Sequence, residues 1–272
     1  MSLEFRLIEI EKRDPYTIAA MDQAILEECE AGRSPPTLMY HNWEPAVSIA
    51  INQTLNDLNC EECDRRGFQV VRVRSGGKAV VHVPDTEFSY SLFVPTQPRD
   101  VTATYKTYCG RLGAALASFG LPATVVSNND IFVDGKKIGG NAQIAKQRFS
   151  LQHGVILYHV PDARVMMQLM NPNLYPPSAA DDLANILTGF TRYAHASQEE
   201  LREGITNELV GDATLHVGTL TVCERQRVRE LIPIYRQSVH DSTAKGVRGL
   251  CWLPAPAYIE EKQRRVEVPC HP

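Results

Sequence analysis

Three short segments, far apart in the chain, each set glycines beside a cation or a hydrogen-bonding side chain at an expected strand end. They are Arg72-Val73-Arg74-Ser75-Gly76-Gly77-Lys78-Ala79-Val80-Val81-His82, Asn129-Asp130 through Asp134-Gly135-Lys136-Lys137-Ile138-Gly139-Gly140-Asn141-Ala142, and Gln152-His153-Gly154. Consecutive glycines weaken a strand unless a backbone or a ligand must come close. A fixed cation, a hydroxyl and unhindered amides where strands meet suit a carboxylate or a phosphate. A fold that brings the three segments together would therefore hold a small acidic ligand.

Composition narrows the partner. The chain of 272 residues, 43% hydrophobic, can bury a large core as a main domain with a small appendage. Its formal net charge is −4 and no basic stretch runs through it, so nucleic acid is not an expected partner. No segment reaches the 18 or so uninterrupted apolar residues of a membrane span, and the start lacks a basic run followed by an apolar core. A cytoplasmic protein without a membrane partner is expected. Seven cysteines at irregular spacing do not make a disulfide framework and are expected to be reduced. Cys60 and Cys63 form a lone CxxC without the second pair that a zinc site needs, and read as part of a helix over 56–66.

The hydrophobic periodicity alternates between helix and strand, which predicts an α+β fold. Helices are expected over 17–30, 101–119, 197–209 and 222–239, and strands over 46–51, 68–74, 79–83, 88–94, 154–159 and 214–217. Ser197 with Glu200 has capping-box spacing. Asp134-Gly135 between apolar runs is a two-residue hairpin signal. Neighbouring strand residues point to opposite faces, so only one of Lys136 and Lys137 can face a pocket, and periodicity does not choose between them.

The three segments resemble, in order and spacing, the motifs of the lipoate–protein ligase branch of the biotin/lipoate ligase fold. That family reads Arg-Arg-x-Ser/Thr-Gly-Gly-Gly-Ala-Val-x-His, then Asn-Asp with a later Gly-x-Lys-Ile/Val-Ser/Gly-Gly-Asn/Ser-Ala, then His-His-Gly-Thr-Leu-Leu; Trp43 to Gln53 resembles its opening strand. The resemblance implies a mixed β-sheet flanked by helices, with a catalytic domain over 1–210 and a C-terminal helical appendage and tail over 211–272. It implies activation of lipoate or octanoate by ATP and magnesium as an acyl-adenylate, followed by transfer to a lysine of a lipoyl carrier domain. Such a domain belongs to a 2-oxoacid dehydrogenase E2 or a glycine cleavage H protein. Motif matching makes Lys137 the catalytic cation and places Arg72, Ser75, Gly76, Gly77, Lys78, Ala79 and His82 on the pocket wall. Asn129 and Asp130 fall on the nucleotide side, with Asp130 as a magnesium ligand, and Gly140, Asn141, Ala142, His153 and Gly154 complete the binding set.

The departures point to a neighbouring branch. Gly77-Lys78 stands where the ligases have two glycines, and Trp43-Glu44-Pro45-Ala46 looks more like octanoyltransferases, which take octanoate from acyl carrier protein through a cysteine thioester. Those relatives place the cysteine shortly before the Asn129-Asp130 position, and Gly120 to Ser127 contains none. The ATP-dependent ligase is the leading expectation. The alternatives are an octanoyl or lipoyl transferase with its cysteine elsewhere or absent, and a non-catalytic module that binds carrier domains. Relatives of this size can take an accessory domain from a separate polypeptide. Arg248 to Pro254, which includes Cys251 and Trp252, reads as a packing segment, and Glu260 to Pro272 as a charged loose tail.

Overall fold

The computed structural model describes residues 4–96, 101–239 and 251. In chain order the elements are β1 (Glu4–Arg13), α1 (Pro15–Glu30), β2 (Thr37–Trp43), β3 (Ala46–Ile49), α2 (Cys60–Arg65), β4 (Gln69–Arg72), β5 (Val80–His82) and β6 (Glu87–Pro95). There follow α3 (Val101–Ser118), β7 (Ala123–Val126), β8 (Asp130–Val133), β9 (Lys136–Ala145), β10 (Phe149–Leu157), α4 (Ala163–Gln168), α5 (Ala179–Ile186), α6 (Gln198–Val210), β11 (Thr214–Val217) and α7 (Val222–Ser238). Eight strands form one mixed sheet in the order β11-β1-β2-β6-β10-β9-β8-β7, and β4-β3-β5 form a small second sheet. The α+β expectation holds.

Local chemistry accounts for most boundaries. Asp14 caps α1 by accepting from the Thr17 amide, Pro15 opens the helix, and Gly32 follows it at φ +73°. Full capping boxes start α6 at Ser197 and α7 at Thr221. Asp134 and Gly135 both take positive φ, as the two-residue turn between β8 and β9 requires. Strands β1 and β2 are not visible as alternating patterns. Both faces of β2 are buried, with Leu38 and Tyr40 in one core and Met39 and Trp43 in another, so its polar positions do not alternate.

The helices cover the large sheet from both sides. Leu112 and Leu116 of α3 and Leu201, Ile205 and Leu209 of α6 close one face over Tyr90 and Leu92. Ile18 and Ile25 of α1 and Val228, Leu231 and Tyr235 of α7 close the other over Met39, Phe93 and Leu151. A third core joins the small sheet to α4 and α5 through Val47, Ile49, Met166 and Leu183. At roughly 1.5–3 kcal/mol for each large apolar side chain buried, these layers dominate the fold's stability.

The segment expected as an appendage is tied into this body as far as residue 239. β11 pairs in parallel with β1 at the sheet edge. Arg6 of β1 makes a two-pronged ion pair with Glu224 of α7, at 2.8 and 2.7 Å, inside the fold. Leaving either charge alone there would cost roughly 3–5 kcal/mol. The expected loose tail over 260–272 and the packing of Trp252 lie outside the described residues.

Candidate active site

A cavity of about 500 Å³ opens where the small sheet meets β9 and β10 of the large one. Its wall contains Ser75, Gly76, Gly77, Lys78, His82, Asn129, Asp130, Lys137, Gly140, Asn141, Ala142, His153 and Gly154. The three glycine-bearing segments therefore converge on one space, although β5, β9 and β10 lie far apart in sequence. Among the expected residues, Arg72 and Ala79 fall outside this wall.

Strand alternation resolves the two lysines. Lys137 is 4% exposed and lines the cavity, whereas Lys136 is half-buried and does not. The Lys137 ammonium lies 2.7 Å from an Asp130 carboxylate oxygen, donates to the Cys251 carbonyl at 2.9 Å and sits 3.6 Å from the Cys251 sulfur. Burial pushes this amine down, but the charges of Cys251 and Asp130 and the bonds to them outweigh burial and hold it above the ordinary lysine value. The Cys251 amide in turn donates to the Ala79 carbonyl at 2.7 Å. A Cβ on Gly140 would stand 3.3 Å from the Cys251 sulfur and 3.4 Å from Lys137 Cε, so the missing side chain leaves room for this pair.

Cys251 is the residue that sequence reasoning missed. The sequence places it in a packing segment, yet it lies in the cavity wall against Lys137, 114 positions away. Its only cue is a cysteine within the apolar run Leu250-Cys251-Trp252-Leu253. The other buried cysteines are inert by comparison. Burial pushes the thiols of Cys29, Cys63 and Cys109 up to about 12.

Arg72 departs from its expected place in the ligand pocket. Its guanidinium donates to the backbone carbonyls of Ala50 and Gln53 beyond β3 and of Ser238 and Val239 at the end of α7. It is a buried clamp joining the small sheet to α7. Ala79 is fully buried and contributes its carbonyl to Cys251.

Two histidine networks border the cavity. His82 bridges Ser48 at 2.9 Å and Glu87 at 2.6 Å and stacks on Trp43 with ring centroids 4.1 Å apart. His153 bridges Ser75 at 2.8 Å and Asp22 at 3.0 Å. A third histidine, His41, meets Ser91 through Nε2, while its Nδ1 finds no partner among the described residues. Its burial pushes the imidazole down to about 4. On the β9 side, Asn129 and Asn141 exchange side-chain and backbone bonds at 2.9 Å, and Tyr90 donates to Asn141. Gly154 admits that amide: a Cβ there would collide with Asn141 Oδ1 and lie 2.7 Å from the Gly140 carbonyl. Around Gly76 and Gly77 a Cβ would meet nothing within 4 Å, so the turn faces open space.

No group of three His, Cys, Asp or Glu side chains converges on a metal-sized space among the described residues. No helix among them is long and apolar enough to cross a membrane.

The chain is similar to known proteins in sequence and in fold. A family model described as the lipoyl protein ligase A/B catalytic domain matches residues 14–200. Octanoyltransferase LipM of Brevibacillus brevis is 32% identical over 208 residues, 62% of this chain and 75% of the relative. Octanoyltransferase LipM of Staphylococcus aureus is 25% identical over 276 residues, 87% of this chain and 97% of the relative. Among solved structures, a bipartite lipoate protein ligase of Thermoplasma acidophilum, described with its E2 lipoyl domain, superposes with a TM-score of 0.80 at 19% identity, covering 91% of this chain and 99% of that one. A lipoate–protein ligase A bound with ATP superposes with a TM-score of 0.76 at 21% identity, covering 87% and 100%. At these identities the structures establish the fold.

Proposed function

The chain belongs to the lipoyl protein ligase A/B catalytic-domain family, and from that premise we propose that it is an octanoyl or lipoyl transferase working through a thioester on Cys251. The observation that carries this reading is the Cys251 sulfur 3.6 Å from the buried Lys137 ammonium in the wall of an apolar cavity. The names of the LipM relatives favour it over an ATP-dependent ligase.

A cysteine attacks as the thiolate, and the adjacent ammonium is the counter-charge such a nucleophile needs. In the first half-reaction the Cys251 sulfur adds to the carbonyl of a medium-chain acyl thioester on a donor carrier. The donor C–S bond breaks, and the departing thiolate takes up a proton. In the second, a lysine amine of a lipoyl carrier domain, of the 2-oxoacid dehydrogenase E2 or glycine cleavage H type, adds to the acyl carbonyl. The amide forms, a proton leaves the nitrogen, and Cys251 departs as thiolate. In both halves Lys137 offsets negative charge on the carbonyl oxygen.

The ligase alternative asks Asp130 to hold magnesium beside ATP. Asp130 already gives one oxygen to Lys137, so a magnesium ion there would have to share this carboxylate with the ammonium.

Transfer of label from an octanoyl-carrier thioester to a purified lipoyl domain, with and without ATP, tests the reading. Transfer from the thioester without ATP is expected. Transfer only from free octanoate or lipoate with ATP would establish the ligase in its place.

A further inference from the structure

The second half-reaction needs a base for the proton that leaves the attacking lysine nitrogen, and Lys137, held above its ordinary value as an ammonium, is unsuited to accept it. We propose that Ser75, His153 and Asp22 form a proton relay that carries this proton out of the reaction cavity into a separate small cavity behind it. The proposal rests on the transferase reading and deepens it by assigning a general base.

Position carries the inference. His153 lines two cavities: the large one that holds Lys137 and Cys251, and a second of about 50 Å³ enclosed by α1, β10 and α7. Ser75 faces the first and Asp22 the second. The three side chains make a continuous path, Ser75 Oγ to His153 Nε2 at 2.8 Å and His153 Nδ1 to Asp22 Oδ2 at 3.0 Å. Asp22 is 7% exposed, and its Oδ1 finds no partner among the described residues. A buried carboxylate oxygen without a partner, beside a small space bordered by Glu27, Arg74 and Lys146, calls for water, which is where a relayed proton would go. This is the nucleophile–base–orienter geometry of acyl transfer, with the serine here passing a proton and the cysteine holding the acyl group.

The proton balance closes. Asp22 accepts from Nδ1–H, which leaves Nε2 to accept from the Ser75 hydroxyl. As the carrier nitrogen bonds to the acyl carbon, its proton passes to Ser75 while the Ser75 proton passes to His153, giving an imidazolium beside the Asp22 carboxylate. His153 then gives its Nδ1 proton past Asp22 to water in the rear cavity, and the Nε2–H tautomer that remains returns to Nδ1–H by exchange with solvent between turnovers. The charged and titratable groups facing that space are Asp22 and Glu27 of α1, Arg74 beyond β4, Lys146 beyond β9 and Tyr235 of α7. His41 of β2 lies close enough to feel the charges of both Asp22 and His153.

The test separates the half-reactions in the full chain. Asp22→Asn retains volume but presents an amide to Nδ1 and traps the wrong tautomer; Ser75→Ala breaks the path at its other end. In Asp22→Asn, acyl-enzyme formation from a thioester donor, read by intact mass, should stay within about threefold of wild type. Discharge to the lipoyl domain should slow in both variants by about 10²-fold or more. Hydroxylamine, which needs no base, should discharge all three proteins at similar rates. The wild-type discharge rate should show an inflection with pH that vanishes in both variants. Equal slowing of both half-reactions, or an inflection that survives Asp22→Asn, would overturn the relay. If wild type formed no acyl-enzyme, the cysteine reading alone would fall. The relay would then stand or fall on whether the inflection in overall transfer disappears in the variants.

Discussion

Arg72 and Lys137 are both buried cations on strands that carry the glycine-bearing motifs, and their partners differ. Arg72 donates to backbone carbonyls from two separate elements, whereas Lys137 adds to one carbonyl a carboxylate and a cysteine sulfur in the wall of a cavity. A buried charge must be matched wherever it sits. What it is matched with separates a structural clamp from a working group: immovable carbonyls hold the fold, and groups that can be recharged or acylated do chemistry.

Substitutions can break this contrast. The largest effect is expected at Lys137, where Lys137→Ala should lower transferase turnover by roughly 10²-fold or more while the protein still melts cooperatively. Steady-state kinetics beside a melting curve would check it, and a variant that loses only stability would erase the contrast. Arg72→Met should do the reverse. Four carbonyls lose a charged donor, so stability should fall by about 2–4 kcal/mol in urea, with turnover per folded molecule nearly unchanged.

A third expectation concerns pH. Burial pushes His41 down to about 4, so between its unfolded value near 6.5 and that figure the unfolded chain binds a proton that the folded one refuses. Stability should therefore fall as pH drops through this window, by on the order of 2 kcal/mol from pH 7 to pH 5. Urea denaturation at the two values should show that loss in wild type and little of it in His41→Gln.

The glycine turn gives a smaller and cleaner separation. Gly77 has φ +118°, so any side chain there is strained whatever the ligand does. Gly76 carries no such constraint and faces open space, so Gly76→Ala should leave the melting temperature unchanged and weaken binding of an acyl-adenylate or acyl-thioester analogue about tenfold. Lys136→Ala should alter neither turnover nor stability by more than experimental error.

The convergence of Ser75-Gly76-Gly77, Lys137-Gly140-Asn141 and His153-Gly154 on one cavity was legible in the sequence because each motif is local. So were the hairpin at Asp134-Gly135, the capped helix α6 and the helix α7. β2 was not, since a strand buried on both faces loses the period of two that betrays strands. Arg72 was misplaced because matching a motif says which residue type stands at a position and nothing about which way its side chain is drawn. Cys251 was hidden for a different reason. Its partner is 114 residues away, and no local pattern reports a contact that only the folded chain creates.

The identity of the acylated atom bears most directly on all of this. Incubating the full-length protein with an octanoyl-carrier thioester, without acceptor, and mapping the mass increase by peptide analysis should place one hydroxylamine-labile octanoyl group on Cys251, absent in Cys251→Ser. An unmodified Cys251 in a preparation that still transfers octanoate to the lipoyl domain would contradict a covalent route through this cysteine.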